Sequence, residues 1–223
     1  MSVDKVVNCV VLGGGGHARV LIDTIQAIGS AKIIGVLDPD RSRWGQKLLG
    51  VPILGDDNLL PELLGHGVNS FVIGLGSTGN NRPRQRLFQF ALSHHLEPLT
   101  VVHPHAIRSA WAKVGRGSQL FPGSIVNAGA VVGENVIINS GAIVEHDCVL
   151  ADHVHVATGA KLASTVYVGE GAHIGAGATV KQCITIGANA IVGAGAVVVK
   201  NVAPETVVVG VPAYVLRKKS NAS

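Results

Sequence analysis

A strict period of six runs through the back half of this 223-residue chain. Every sixth residue from Val114 onward is aliphatic: Leu120, Val126, Val132, Ile138, Val144, Leu150, Val156, Leu162, Val168, Ile174, Val180, Ile186, Val192 and Val198. Four places after each stands a small or β-branched residue, from Ser118 and Ser124 through Ala142, Cys148 and Ala160 to Ala196 and Val202. Glycine often follows the aliphatic position, as at Gly115, Gly133, Gly169, Gly175, Gly187 and Gly193. An α-helix has no use for a spacing of six, because such positions walk around its surface. A solenoid does. Each hexapeptide makes one short strand, and its aliphatic residue points to the axis. Composition agrees: 47% hydrophobic, only 4% aromatic, and 29 glycines suit a core of Val, Ile, Leu and Ala. Val102 extends the register backwards through HPHAIRSAWAK, which predicts a solenoid over 102–203 and a C-terminal extension over 204–223.

Residues 1–101 follow a different rule. VVNCVVLG is a continuous apolar run, as in a buried parallel strand. HARVLIDTIQAIG places Val20, Leu21, Ile25 and Ile28 at helical spacing, with Gly29 as its stop. AKIIGVLD and SFVIGLG read as further strands, RQRLFQFALSHH as a second helix and HLEPLTVVH as a last strand. Alternating strands and helices predict a small parallel α/β sheet. Gly13, Gly15 and Ala18 fit G-x-G-x-x-A after the first strand, and Asp38 ends the second. That is a dinucleotide fingerprint in its expected context. About 100 residues hold only one mononucleotide half of that fold, so the spacing points to a nucleotide joined to something else. Backbone N–H groups at the glycine turn meet phosphate or sugar oxygens, and the Asp38 carboxylate accepts from a ribose or base.

The net charge of +4 gathers outside the repeat, in Arg82, Arg84, Arg86 and in Arg217, Lys218, Lys219. These cations belong either to a solvated surface and basic tail or to phosphates of small ligands. Scarce aromatics argue against a nucleic-acid partner. No stretch of about 18 apolar residues is present to span a membrane, and no signal peptide is evident. Cys9, Cys148 and Cys183 are scattered and form no CxxC, so they read as small buried hydrophobes in a reducing, cytoplasmic setting.

Polar residues capable of chemistry crowd into INSGAIVEHDCVLADHVHVATGAK: Glu145, His146, Asp147, Asp152 and His155. A metal is not expected, because His146 and Asp147 are neighbours on a strand-like segment and point apart unless the coil bends between them. A general base is expected. An imidazole titrates near neutral pH, and a carboxylate on its other nitrogen fixes the tautomer. His155 and His173 differ by eighteen, which stacks them on adjacent coils at a corner.

The hexapeptide pattern resembles the hexapeptide-repeat acyltransferases, whose fold is the left-handed parallel β-helix, with three hexapeptides per coil. With GGGGHA in a preceding α/β domain, the chain resembles the bacterial nucleotide-sugar acetyltransferases. These include the N-acetyltransferases that act on UDP-4-amino-4,6-dideoxy-N-acetylhexosamines, and the related sialic acid O-acetyltransferase group. The resemblance implies a homotrimer with sites between subunits, acetyl-CoA as co-substrate and a setting in glycan biosynthesis. It implies that Gly15, Gly16 and His17 contact the nucleotide sugar. Asp38 and Pro39 stand at a pair near base and ribose that is often two acids. Gly76 matches a glycine after the third strand, with Gly79 as its competitor. The resemblance assigns His146 as base and Asp147 as its partner, with Glu145 a rival. Asn139 lies near the sugar, His155 on the acetyl-CoA side, and Ala176 and Ala194 beside the pantetheine arm. UDP is the favoured nucleotide. O-acetylation and a non-catalytic scaffold are the alternatives.

Overall fold

The structure is a computed structural model describing residues 7–218. Lys219 and the rest of the predicted extension beyond it lie outside the described residues, as do residues 1–6. The chain forms two compact units. One runs to Gly76 and resumes over Pro83–Pro104; the other comprises Ser77–Arg82 and the chain from His105 on. The stretch Ser77–Arg82, assigned from sequence to the first domain of 1–101, falls in the second unit, whose remaining chain runs from His105.

In the first unit, β1 (Val7–Leu12), β2 (Ala31–Leu37), β3 (Lys47–Leu48), β4 (Val51–Gly55), β5 (Ser70–Ile73) and β6 (Glu97–Pro98) form one sheet in the order β3-β4-β2-β1-β5-β6. The short β3 runs antiparallel to β4, and the other pairings are parallel. The central place of β1 explains its unbroken apolar run: Cys9, Val10, Val11 and Leu12 are all buried. The α-helices are α1 (Gly16–Ile28), α2 (Leu60–Gly65) and α3 (Arg82–Ser93). Helix α1 ends at Gly29, whose left-handed φ of 72° lets its N–H reach Ile25 O at 3.0 Å. The buried face of α1 is Ala18, Leu21, Ile22 and Ile25, one step round from the expected stripe, and Val20 is exposed. The expected last strand is two pieces, Glu97–Pro98 and Val101–Val102.

In the second unit each two-residue strand pairs in parallel with the one eighteen residues on. One face runs Gln119, Ile137, His155, His173, Ile191. A second runs Ile107, Ile125, Ile143, Lys161, Thr179, Val197, and a third runs Lys113, Val131, Val149, Tyr167, Thr185. The periodic aliphatic residues are buried from Leu120 through Val198, and Val114, on the first coil, is half-buried. Glycine after the aliphatic position has a steric cause. A Cβ on Gly115 would lie 2.5 Å from the Gly133 carbonyl carbon, and one on Gly175 would lie 2.6 Å from Ala194 N. The coils thus stack too closely for a side chain there.

A second column was not legible in the sequence. The backbone turns left-handed every six residues, at Gly117, Gly123, Gly129, Asn135, Gly141, Asp147, His153, Gly159, Thr165, Gly171, Gly177, Cys183, Asn189 and Gly195. Asn and Asp tolerate that region best after glycine. This column corrects the reading of Cys183, which sits on it and is exposed, while Cys9 and Cys148 are buried as expected. The extension from 204 is part of the solenoid unit rather than a separate tail. Thr206–Val209 pairs in parallel with Ile191–Val192 and antiparallel with Tyr214–Lys218. Among the described residues no helix is long and apolar enough to cross a membrane.

Candidate functional site

The glycine turn of the first unit is held from below. Gly13 has φ 93°, and its N–H donates to Leu37 O at 2.8 Å. Gly14 N–H donates to Asp38 Oδ2 at 2.8 Å, and a Cβ on Gly14 would lie 2.6 Å from that oxygen. Gly15 caps α1 with no side-chain partner, and nothing lies within 4 Å of a Cβ built on Gly15 or Gly16. The first turn of α1 therefore opens toward solvent with no acidic residue in it, an arrangement that favours an anion. Gly76 packs against His17: a Cβ there would lie 3.3 Å from the imidazole Nδ1. Its competitor Gly79 belongs to the other unit, beside Ile191.

Asp38 differs from expectation. Its carboxylate accepts from Gly14 N–H, from Asp40 N–H at 2.9 Å and from Arg43 Nη1 at 2.9 Å. Arg43 also donates to Gly14 O, and Trp44 Nε1 to Asp38 O. Asp38 thus braces the turn from within the protein. Sequence reasoning missed Arg43 and Trp44, and no spacing rule marks them. Pro39 is exposed and lines a cavity of about 410 Å³ with Gly13, Leu37 and Leu75.

The arginine cluster divides. Arg82 faces Glu205 at 3.8 Å. Arg84 is buried, donates to Ile73 O and Leu75 O at 2.9 Å, and burial lowers its basicity. Arg86 lines the 410 Å³ cavity.

In the solenoid unit a cavity of about 390 Å³ is lined by Asn139, His155, His173, Ala176 and Ala194, together with Ser77 and Thr78. The histidines do stack, with ring centroids 4.9 Å apart, but on a flat face within strands rather than at a corner. Both point away from the axis and are still buried, because Ser77–Arg82 straps over them. Asn81 anchors the strap: its amide donates to His153 O at 3.0 Å and to Gly171 O and Ala172 O at 3.1 Å. That leaves its carbonyl to accept from the Ser77 hydroxyl. Ser77 Oγ stands 3.4 Å from His155 Nδ1, and Asn139 Nδ2 stands 3.4 Å from His155 Nε2. An amide nitrogen only donates, so Nε2 accepts and Nδ1 carries the proton. Donation then runs one way, from Asn139 through His155 and Ser77 to Asn81. Asn81→Ala is expected to cost roughly 1–3 kcal/mol, the penalty for buried acceptors losing their donor. Chemical denaturation checks this, and unchanged stability would show that the strap is anchored elsewhere.

The five-residue polar cluster disperses. Glu145 accepts from Asn127 Nδ2 at 2.9 Å, and Asp152 from Glu134 N–H at 2.7 Å. His146 and Asp147 remain together at a coil corner, with Nδ1 and Oδ2 2.8 Å apart. Strand neighbours point apart unless the coil bends between them, and the left-handed φ of 59° at Asp147 supplies that bend. A carboxylate only accepts, so Nδ1 carries a proton, and in the neutral imidazole Nε2 then keeps the lone pair. The pair does not line the 390 Å³ cavity. Cys148 faces the interior: its Sγ meets Ala163 O at 3.1 Å, and burial raises its thiol above the ordinary value. A buried, protonated thiol is a poor nucleophile.

Residues 8–90 match the PglD N-terminal domain, and residues 165–200 the bacterial transferase hexapeptide (six repeats). A search of curated proteins finds no match. Among solved structures, an H-to-N mutant of perosamine N-acetyltransferase from Caulobacter crescentus, in complex with CoA and GDP-perosamine, is 37% identical. That match covers 96% of this chain and 99% of the other, with a TM-score of 0.89. The acetyltransferase domain of PglB from Neisseria gonorrhoeae FA1090, in complex with acetyl coenzyme A, is 33% identical over 95% of this chain and 100% of the other, with a TM-score of 0.88. This chain belongs to the hexapeptide-repeat nucleotide-sugar acetyltransferases. WeeI from Acinetobacter baumannii AYE is a further similar structure, 26% identical over 95% of this chain and 100% of the other, with a TM-score of 0.82. As a nucleotide-sugar acetyltransferase the protein is an enzyme, and its solenoid is the family's left-handed β-helix. Ser77, which lines the 390 Å³ cavity, and Asn81, which anchors it, were not singled out from the sequence. No periodicity or motif in VIGLGSTGNNRPR marks them.

Proposed function

We propose that this enzyme transfers the acetyl group of acetyl-CoA to the 4-amino group of a nucleotide-linked amino-deoxysugar, with His146 as general base. The observation that carries the reading is the His146–Asp147 pair, whose bonded Nδ1 leaves Nε2 free and solvent-facing. The amine lone pair attacks the thioester carbonyl, forming the C–N bond. The amine proton passes to His146 Nε2. Collapse breaks the C–S bond, and the proton goes on to the CoA thiolate. The reaction is direct, in a ternary complex, without an acyl-enzyme; the burial of Cys148 supports this.

Gly15, Gly16 and His17 hold the nucleotide sugar at the start of α1, beside Gly76, with Asp38 keeping the turn in shape. Asn139 faces the sugar, while His155, Ala176 and Ala194 line the acetyl-CoA arm. The base stands outside the cavity that these residues share, which supports a homotrimer in which one copy's His146 serves a site completed by its neighbour. The similar structures bound to CoA or acetyl-CoA support the co-substrate, and no metal is required. We place the enzyme in the cytoplasm, in glycan biosynthesis. The sequence resemblance favours a UDP-sugar; the GDP-perosamine in the Caulobacter structures favours GDP as the second reading.

Release of free CoA thiol on mixing acetyl-CoA with a panel of amino-sugar nucleotides tests the proposal. Release that depends on the 4-amino group is expected. Release with hydroxyl sugars alone would make the enzyme an O-acetyltransferase, and no release with any sugar would leave a non-catalytic binding protein.

A further inference from the structure

The 410 Å³ cavity lies outside the carboxyl ends of β1, β2 and β5, where open α/β sheets take their ligands. Its size is that of a small-molecule pocket. Leu37, Leu75, Leu87 and Phe90 give it apolar walls, and Asp57 and Arg86 add one carboxylate and one guanidinium. Asp57 follows β4 and opens a short turn. Its carboxylate neighbours are both engaged: Asp56 accepts from Asn58 N–H at 3.0 Å, and Asp38 accepts from Gly14, Asp40 and Arg43. Among the described residues no hydrogen bond or ion pair reaches the Asp57 carboxylate. Burial, then the charges of Asp56 and Asp38, push its carboxyl above the usual range. A half-buried carboxylate against apolar walls is costly unless a ligand brings it N–H donors.

We propose that Asp57 reads the base of a guanine nucleotide, its two oxygens accepting from N1–H and the 2-amino group, with Arg86 toward O6 and N7. The inference rests on the placement of the nucleotide in this unit and deepens it. Guanine offers two adjacent donors beside two acceptors, which suits a carboxylate with a guanidinium. Uracil offers one N–H between two carbonyl oxygens, so a carboxylate there gains one bond and faces two acceptors. Phe90 lines the cavity and gives the base an aromatic side chain to pack against. Base recognition thereby moves from positions 38 and 39, where Asp38 is bound to Arg43 and Pro39 has no side-chain acceptor, to the turn after β4.

Calorimetric titration of the full chain with GDP, IDP and UDP tests this. IDP lacks the 2-amino group alone. Wild type is expected to bind GDP about tenfold more tightly than IDP or UDP. Asp57→Asn is expected to weaken GDP about 10- to 100-fold and to close the GDP–IDP gap. UDP should hold or tighten, because asparagine can donate to a uracil carbonyl. The thermal stability of the variant at neutral pH should hold or rise, since a charge that burial disfavours is gone; a structural role would lower it. Equal wild-type affinity for GDP and IDP, tighter UDP than GDP, or an equal loss of all three in the variant would overturn the proposal. Binding of none of the three would instead overturn the nucleotide's placement in this unit, and the proposal with it.

Discussion

Replacing His146 by alanine is expected to lower turnover about 100-fold or more, the usual contribution of a positioned general base. The ammonium form of an amino sugar has no lone pair, and even the free amine must lose a proton as the C–N bond forms. Without an acceptor beside it that proton goes to water, a weaker base. The imidazole is exposed at a coil corner and makes no core contact, so the variant should fold with wild-type stability. The KM for either substrate should change little, since the base acts on the moving proton rather than on binding. Asp147→Asn should follow the same logic with a smaller loss, about tenfold. An amide that donates to Nδ1 would shift the imidazole proton to Nε2, the wrong tautomer for a base. Solvent competes at this exposed pair, whose side chains are 57% and 64% accessible, and softens the effect. Asp147→Glu should recover part of it. Thiol release under saturating substrates reads all three, and wild-type turnover in His146→Ala would remove the base assignment.

Gly74→Ala is expected to disable the nucleotide end. Gly74 N–H donates to Leu12 O at 2.7 Å, pinning the end of β5 to the end of β1. An added Cβ would stand 2.1 Å from Gly13 O, 2.8 Å from Val11 Cγ1 and 2.9 Å from Ala18 Cβ. The nearest of these atoms is backbone, and the other two are short side chains on the central strand and on the buried face of α1, so none can swing aside. The glycine turn itself must move, carrying with it the N–H groups of Gly15 and Gly16. The expected cost is about 1–3 kcal/mol of stability, with about tenfold weaker nucleotide binding. Thermal unfolding and calorimetric titration measure the two. Gly15→Ala is the control: a Cβ there meets nothing within 4 Å, so its stability should not change for steric reasons. A Gly74→Ala protein as stable as wild type would show that the turn tolerates displacement.

These sites were unequally legible. The period of six announced the coil because each coil repeats one packing problem, and every solution to it is aliphatic. The glycine turn was legible because a glycine run directly follows an apolar strand, and Gly13 at its start takes a φ of 93° that favours glycine. His146 and Asp147 stood out as a pair, but their contact did not. Alternation along a strand would have separated them, and only the left-handed residue at the corner turns one toward the other. Asp38 was visible as a carboxylate at a strand end, yet its engagement by Arg43 was not, since side chains of that kind meet through a loop with no regular spacing.

By itself the sequence determined the solenoid, the α/β sheet before it and the residue types available for acyl transfer, because repetition and periodicity are local constraints written in order along the chain. Only the tertiary structure decided that Ser77 and Asn81 close over His155 and His173, and that Asp57 stands in the cavity beyond β1 and β5 with no donor among the described residues. Those relations join residues far apart in order, through bonds of a few ångströms whose geometry depends on how every intervening turn is laid down.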